Sequence, residues 1–214
     1  MLDSTPSTRQ EQLDCSPPIF SLAAPKVIAV SGPSGVGKGT LITRLIDNHP
    51  DQFVRSVSHT TREARPGETD SNHYHFVTFD KFKSLTKQGA FVEHIFFSGH
   101  HYGTSWQTIE RRHIEQKTLV LDIEMEGVKA IKGNQNIPLR CAFISPPSLD
   151  ALESRLRSRG TETEASLHER LATAKAEMDF ALSTSGSDDI IIVNDDLERA
   201  YDELEQWAMN SVQQ

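Results

Sequence analysis

The chain has 214 residues, and its 22 lysines and arginines stand against 30 aspartates and glutamates, a formal net charge of −8. That length buries one sizeable core and suggests a single domain with lobes inserted into it. No apolar run reaches the length of a membrane span, and the acidic balance argues against an extended nucleic-acid backbone as partner, so any polyanionic ligand needs locally clustered arginines.

Residues 1–25 are rich in Ser, Thr and Pro and show no periodicity, which reads as a disordered tail. One arginine among three acids (Asp3, Glu11, Asp14) argues against a transit peptide, and the apolar stretch 19–24 is too short for a secretory core. A cytoplasmic location is expected. Cys15 lies in this tail and Cys141 in an apolar strand pattern, so no bridge between them is expected, as suits a reducing compartment. The nine histidines come without Cys or carboxylates at zinc-site spacing, which argues against a structural metal.

Residues 26–31 (KVIAVS) read as a buried strand, and residues 32–40 (GPSGVGKGT) as a phosphate-binding loop opening a helix. Backbone N–H groups of Gly32, Ser34, Gly35, Val36 and Gly37 would converge there, with Pro33, which has none, completing the loop. The positive end of a helix dipole points at the same place, and Lys38 adds a full charge. Leu41, Ile42, Leu45 and Ile46 give the helical spacing that follows. One position departs from the usual loop. Gly39 stands where a Ser or Thr hydroxyl normally meets magnesium, and Thr40 is displaced by about 100° around the helix.

Residues 52–103 have a different texture, short alternating runs around one short helix near 80–88, which reads as an antiparallel insertion. Within it Arg62 and Arg65 lie three apart in a Gly- and Pro-punctuated stretch, where guanidinium forks with the Tyr74 hydroxyl suit a phosphomonoester. Beyond the insertion, residues 118–122, 139–145 and 190–193 read as buried strands, and 149–159, 164–182 and 197–210 as helices. This alternation argues for an α/β fold with a largely parallel sheet. Arg155 and Arg159 fall at i and i+4 on one helical face, and Arg170 follows on the next helix. Singly each reads as ordinary helix ion pairing with Glu153, Glu162 or Glu169; together with the loop they read as a lid.

Several motifs in fixed order now add up. The loop GPSGVGKGT is followed by T-T-R-x-x-R-x-G-E ending at Glu68, Tyr74 six residues later, F-V-E at Glu93 and F-S-G-x-x-Y-G around Tyr102. L-D-I-x-x-x-G then begins at Leu121, R-L-x-x-R-x-T-E-T at Arg155 and V-N-D at Val193. In these residues the chain resembles the guanylate kinase family of P-loop nucleoside monophosphate kinases, from about residue 26 to the last helix.

The resemblance implies an α/β fold of the P-loop NTPase type. It has a parallel-sheet core (26–51, 104–152 and 185–214) with helices on both faces, an inserted mixed α+β GMP-binding lobe (52–103) and a helical lid (153–184). It implies phosphorylation of GMP, and of dGMP, with ATP as co-substrate and Mg²⁺, in a cytoplasmic monomer. Glu93 would accept from guanine N1–H and N2–H₂, while Ser58 and Thr104 donate to O6; adenine would meet Glu93 acceptor to acceptor. Arg62, Arg65, Tyr74 and Tyr102, with Glu68 in the same motif, would hold the GMP phosphate. Lys38 and the loop would cradle the ATP phosphates, with Arg155, Arg159 and Arg170 closing over the transferring group and Asn194 reaching the adenine. Asp122 would orient the magnesium water shell or meet the ribose edge of GMP, with Thr40 as the nearest loop hydroxyl. Glu124 stands where the family has Asp and would reach for the guanine amino group, and Glu126 stands where it often has Gln. A catalytically silent interaction module of the same fold tends to lose the loop lysine and lid arginines, which are present here. An adenylate-type kinase is disfavoured by Glu93 with Ser58.

Overall fold

The computed structural model describes residues 26–97, 99–114, 116–133, 137–158, 163–184 and 186–212. Its centre is a five-stranded sheet in the order β2 (Phe53–Arg55), β7 (Thr118–Asp122), β1 (Val27–Ser31), β8 (Leu139–Ser145), β9 (Ile190–Val193), with every neighbouring pair parallel. Parallel strands are covered on both faces, so they read as continuous apolar runs. β1 shows this in VIAVS, buried at all five positions.

The two faces separate by strand alternation. Ile28, Val30, Val120, Ala142, Ile144 and Ile192 point into one core, which is completed by helices. These are α1 (Lys38–Asn48), α5 (Leu149–Ser158), the first half of α6 (Glu164–Thr184) and α7 (Leu197–Val212). Val27, Ala29, Leu119, Leu121, Cys141 and Phe143 point the other way, against α3 (Trp106–Ile114) and α4 (Met125–Lys132). Helix α6 places Leu167 and Ala174 in the first core and Ala181 in the second, so it crosses the sheet's ligand-facing end rather than lying along one face.

The inserted lobe is a second sheet in the order β4 (His75–Phe76), β3 (His59–Thr60), β6 (His100–Ser105), β5 (Phe91–Phe97), with α2 (Phe79–Lys87) beside it. Thr78 caps α2 by accepting the Lys81 N–H, and Phe82 of that helix stacks on Phe91 of the sheet. Two details differ from the antiparallel insertion expected over 52–103. β3 and β4 pair in parallel, because the connection 61–74 is long enough for a crossover that a tight hairpin could not make. β2 belongs to the central sheet, with Phe53 opposite Thr118, so the second sheet begins only at His59. The tail 1–25 with Cys15, and Arg159 at the end of the expected lid helix, lie outside the described residues.

Candidate active site

The carboxyl ends of β1, β7 and β8 open toward one crevice, as parallel sheets arrange their ligands. At the end of β1 the chain turns at Gly32 with φ 137°, where a Cβ would stand 2.2 Å from Ile144 O, so only glycine lets the loop lie against β8. Gly37 opens α1 in a left-handed conformation, φ 106°, with a built Cβ 2.6 Å from Asn194 Nδ2. That amide group donates to Val36 O at 2.7 Å, and Arg155 donates to Val36 O at 3.3 Å and to Asn194 O at 2.7 Å. Asn194 and Arg155, expected at the adenine and in the lid, therefore brace the phosphate loop from behind in this conformation. Arg170 reaches the loop from α6, donating to Ser34 Oγ at 2.7 Å. Lys38 is buried and folds over the loop, its Nζ donating to Gly32 O and, at 3.1 Å, to Pro33 O. Gly39 and Thr40 face outward, and a Cβ built on Gly39 meets nothing within 4 Å.

Across the crevice Ser58, Tyr74, Glu93, Tyr102, Asp122 and Glu124 line a cavity of about 130 Å³. A cavity of ~150 Å³ admits one benzene ring, so this partly open one takes in the edge of a planar group rather than a whole ligand. Glu93 forms its wall and is 5% exposed. Oε1 accepts the Thr104 N–H at 2.9 Å, while Oε2 lies against Gly127 on the first turn of α4. Burial raises the Glu93 carboxyl above the usual carboxylate range, opposed by the hydrogen bonds from Thr104. A ligand presenting N–H donors to this carboxylate relieves that desolvation. The Ser58 and Thr104 hydroxyls stand 3.4 Å apart on the buried side of the same pocket, close enough to share one acceptor.

At the outer edge of this pocket Arg62 forms a two-pronged ion pair with Glu68, at 2.9 and 3.0 Å, and lies 5.3 Å over the Tyr74 ring. Glu68 Oε2 also accepts the Arg65 N–H at 2.7 Å. Glu68 thus orients the arginine-bearing turn; a carboxylate has no donor for a phosphate, whereas Arg62, exposed Arg65 and the neighbouring Tyr74 and Tyr102 do. The bond to Glu68 and the surrounding charges raise the Arg62 pKa further, and Arg62 lowers that of Glu68.

The carboxyl groups of Glu124, at the N-terminus of α4, and Glu177, on α6, face each other across the crevice. Burial and the negative charge of Glu124 push the Glu177 carboxyl up to about 7, with Lys38 opposing. Glu124 lines this cavity and also a neighbouring one shared with Glu177 and Arg170 of α6.

Among the described residues no group of three His, Cys, Asp or Glu side chains could hold a metal ion. Magnesium suits this donor set nonetheless. It keeps several waters, relies on substrate phosphates and needs only one or two carboxylates, and Asp122 at the end of β7 with the open space at Gly39 provides for that.

The cavity with its buried carboxylate thus stands across the crevice from a glycine-rich loop with its lysine. The guanylate kinase family model matches residues 24–211. The chain belongs to the guanylate kinase family. A guanylate kinase of Schizosaccharomyces pombe is 46% identical over 185 residues, 86% of this chain and 91% of that protein. That of Homo sapiens is 43% identical over 185 residues, 86% and 93% of the two chains. The crystal structure of the guanylate kinase from Anaplasma phagocytophilum superposes with a TM-score of 0.68 at 27% identity, covering 90% of this chain and 89% of that one. No helix among the described residues is long and apolar enough to cross a membrane.

Three residues beside this site carry no mark in the sequence reading. Gly127 is visible only as the last letter of a motif, Glu177 is one acid among many on α6, and Arg55 sits on a three-residue strand.

Proposed function

We propose that this guanylate kinase family member transfers the γ-phosphoryl group of ATP to GMP, giving GDP and ADP. The observation that carries the guanine reading is Glu93: a buried carboxylate, fixed by the Thr104 N–H, on the wall of a small, partly open cavity. Guanine brings N1–H and N2–H₂ to that carboxylate and O6 to the hydroxyls of Ser58 and Thr104. Adenine would leave Glu93 facing a lone pair, and such a mismatch discriminates by ~10⁴–10⁵. None of these contacts is to the ribose 2′-hydroxyl, so dGMP is accepted as well. The proposed site needs no residue from a second copy, so a monomer suffices for the reaction.

Arg62, Arg65, Tyr74 and Tyr102 hold the GMP phosphate. Lys38 and the amides of the glycine loop hold the ATP phosphates, the lysine exchanging the Gly32 and Pro33 carbonyls for phosphate oxygens. An oxygen of the GMP phosphate attacks the γ-phosphorus in line. The new P–O bond forms as the bridge to the β-phosphate breaks, and ADP leaves with that electron pair. Arg170, already against the loop through Ser34, is proposed to meet the developing charge together with Arg159 and with Arg155, which must first release the Val36 and Asn194 carbonyls. Asp122, with Thr40 nearby, would hold Mg²⁺ through its water shell, and the ion would supply charge that offsets that of the ATP phosphates. Closure excludes water that would otherwise hydrolyse ATP.

The test is a coupled assay of ADP release with ATP and each of GMP, AMP, CMP and UMP. Turnover with GMP at least a thousandfold above AMP is expected. Comparable AMP turnover would remove the role given to Glu93, and no turnover by folded protein would leave only an interaction module.

A further inference from the structure

Arg55 closes the three-residue strand β2 at the edge of the central sheet, opposite Val120 of β7. Its Nη2 donates to Thr43 Oγ1 at 2.8 Å and to Gly39 O at 3.3 Å, and its Nη1 lies 3.6 Å from Asp122 Oδ2. One guanidinium therefore joins the first turns of α1, just past the phosphate loop, to the carboxyl end of β7.

We infer that Arg55 is a positioning residue for phosphoryl transfer: it holds the Asp122 carboxylate beside the first turn of α1, where Gly39 supplies no hydroxyl. This rests on the reading, given above, that Asp122 meets the magnesium water shell. Three carboxylates, Glu93, Asp122 and Glu124, line one small cavity, so each needs its own partner to hold its direction. Glu93 is fixed by Thr104, and Glu124 faces Glu177. Asp122 has its counter-charge in Arg55, on the side of the phosphate loop, which draws it toward the nucleotide. The guanidinium is a rigid planar fork, so partners on α1 and β7 at once fix its plane and hence the direction from which it meets the carboxylate. Arg55 and Asp122 side chains are each about one-third exposed, at 33% and 31%. Solvent-screened pairs of this kind add little to stability, so the arrangement matters chiefly for where Asp122 points.

The experiment uses the full chain with Arg55→Met, Arg55→Lys, Asp122→Asn and the Arg55→Met/Asp122→Asn pair. Titration calorimetry measures ATP affinity with and without Mg²⁺, and GMP affinity separately; turnover is followed against Mg²⁺ concentration. Arg55→Met is expected to cut the Mg²⁺-dependent gain in ATP affinity about five- to tenfold while metal-free ATP affinity and GMP affinity stay within twofold. Arg55→Lys, which keeps the charge without the fork, is expected between the two. The double variant is expected to be no worse than Asp122→Asn alone, since Arg55 acts through that carboxylate. Losses that multiply in the double variant, or an unchanged Mg²⁺ response in Arg55→Met, would overturn the role of Arg55 while leaving Asp122 in place. An unchanged Mg²⁺ response in Asp122→Asn would overturn the reading of Asp122 and this inference with it. Should Arg55→Met not fold, Arg55→Gln, which can still donate to Thr43, carries the same comparison.

Discussion

Gly127, on the first turn of α4, lies against the carboxylate of Glu93: a Cβ built there stands 3.2 Å from Glu93 Oε2 and 3.5 Å from its Cδ. The close approach fixes one side of the carboxylate as the Thr104 N–H fixes the other. Gly127→Ala must therefore push Glu93 by a few tenths of an ångström against a hydrogen bond that resists. Overpacking costs ~1–3 kcal/mol, and the low end of that range corresponds to about a fivefold rise in KM for GMP. KM for ATP should be unchanged in steady-state kinetics, and a GMP response no larger than the ATP response would dissociate Gly127 from the base pocket. Glu93→Gln should affect GMP in the same sense and far more severely, because an amide N–H₂ then opposes guanine donors.

Lys38→Ala removes the charge that lies over the glycine loop. Loss of one positioned donor to a developing charge typically costs 10²–10³ in kcat, and a fall of about that size is expected. GMP affinity measured by calorimetry should stay within a factor of about two, since the lysine belongs to the loop and the base pocket stands across the crevice. Wild-type turnover in the variant would remove the lysine from the mechanism.

Gly39→Ser should fold and remain active. The added Cβ meets no atom within 4 Å, and the position lies in the first turn of α1, where serine is acceptable. Its hydroxyl restores the oxygen the loop lacks, so the Mg²⁺ concentration for half-maximal turnover is expected to fall. A rise in that concentration, with the fold intact by circular dichroism, would show that the open space serves something other than a metal ligand or its water.

The Glu177 carboxyl, lifted from 4.5 to about 7 by burial and by Glu124, makes stability depend on pH. Between those values the folded chain holds a proton that the unfolded chain has released, so this contribution is complete below about pH 4.5 and is lost as pH rises through 7. Solvent screening reduces the loss to ~1–2 kcal/mol. Glu177→Gln keeps a donor toward Glu124 at every pH, so its urea midpoint should exceed that of the unchanged chain at pH 8 and match it at pH 5. Equal differences at the two pH values would mean that Glu177 titrates normally.

Periodicity and punctuation made the regular elements legible. The strands at Thr118–Asp122, Leu139–Ser145 and Ile190–Val193 stand where the apolar runs put them, and the helices beginning at Leu149, Glu164 and Leu197 start where their patterns start. Short pieces were less readable. Phe53–Arg55 is too brief for two-fold alternation to declare a partner, and only its pairing with β7 assigns it to the central sheet. The parallel pairing of His59–Thr60 with His75–Phe76 has no local signal either, because it depends on the path of the connection between them.

By itself the sequence determined the phosphate loop and its order relative to Arg62, Glu93 and the lid arginines, because such motifs depend on spacings of a few residues that backbone geometry enforces. Only the tertiary structure decided which carboxylate faces which cation. Glu68 turned out to serve Arg62, Asn194 and Arg155 the rear of the loop, Glu177 the carboxyl of Glu124, and Arg55 the carboxylate of Asp122. Glu68 and Arg62 share one connection, six residues apart, but the other partners lie on separate segments up to 158 residues apart in the chain, and contacts at that separation are set by how helices and strands pack rather than by local pattern. The loop lysine could be found by reading; what surrounds it had to be folded first.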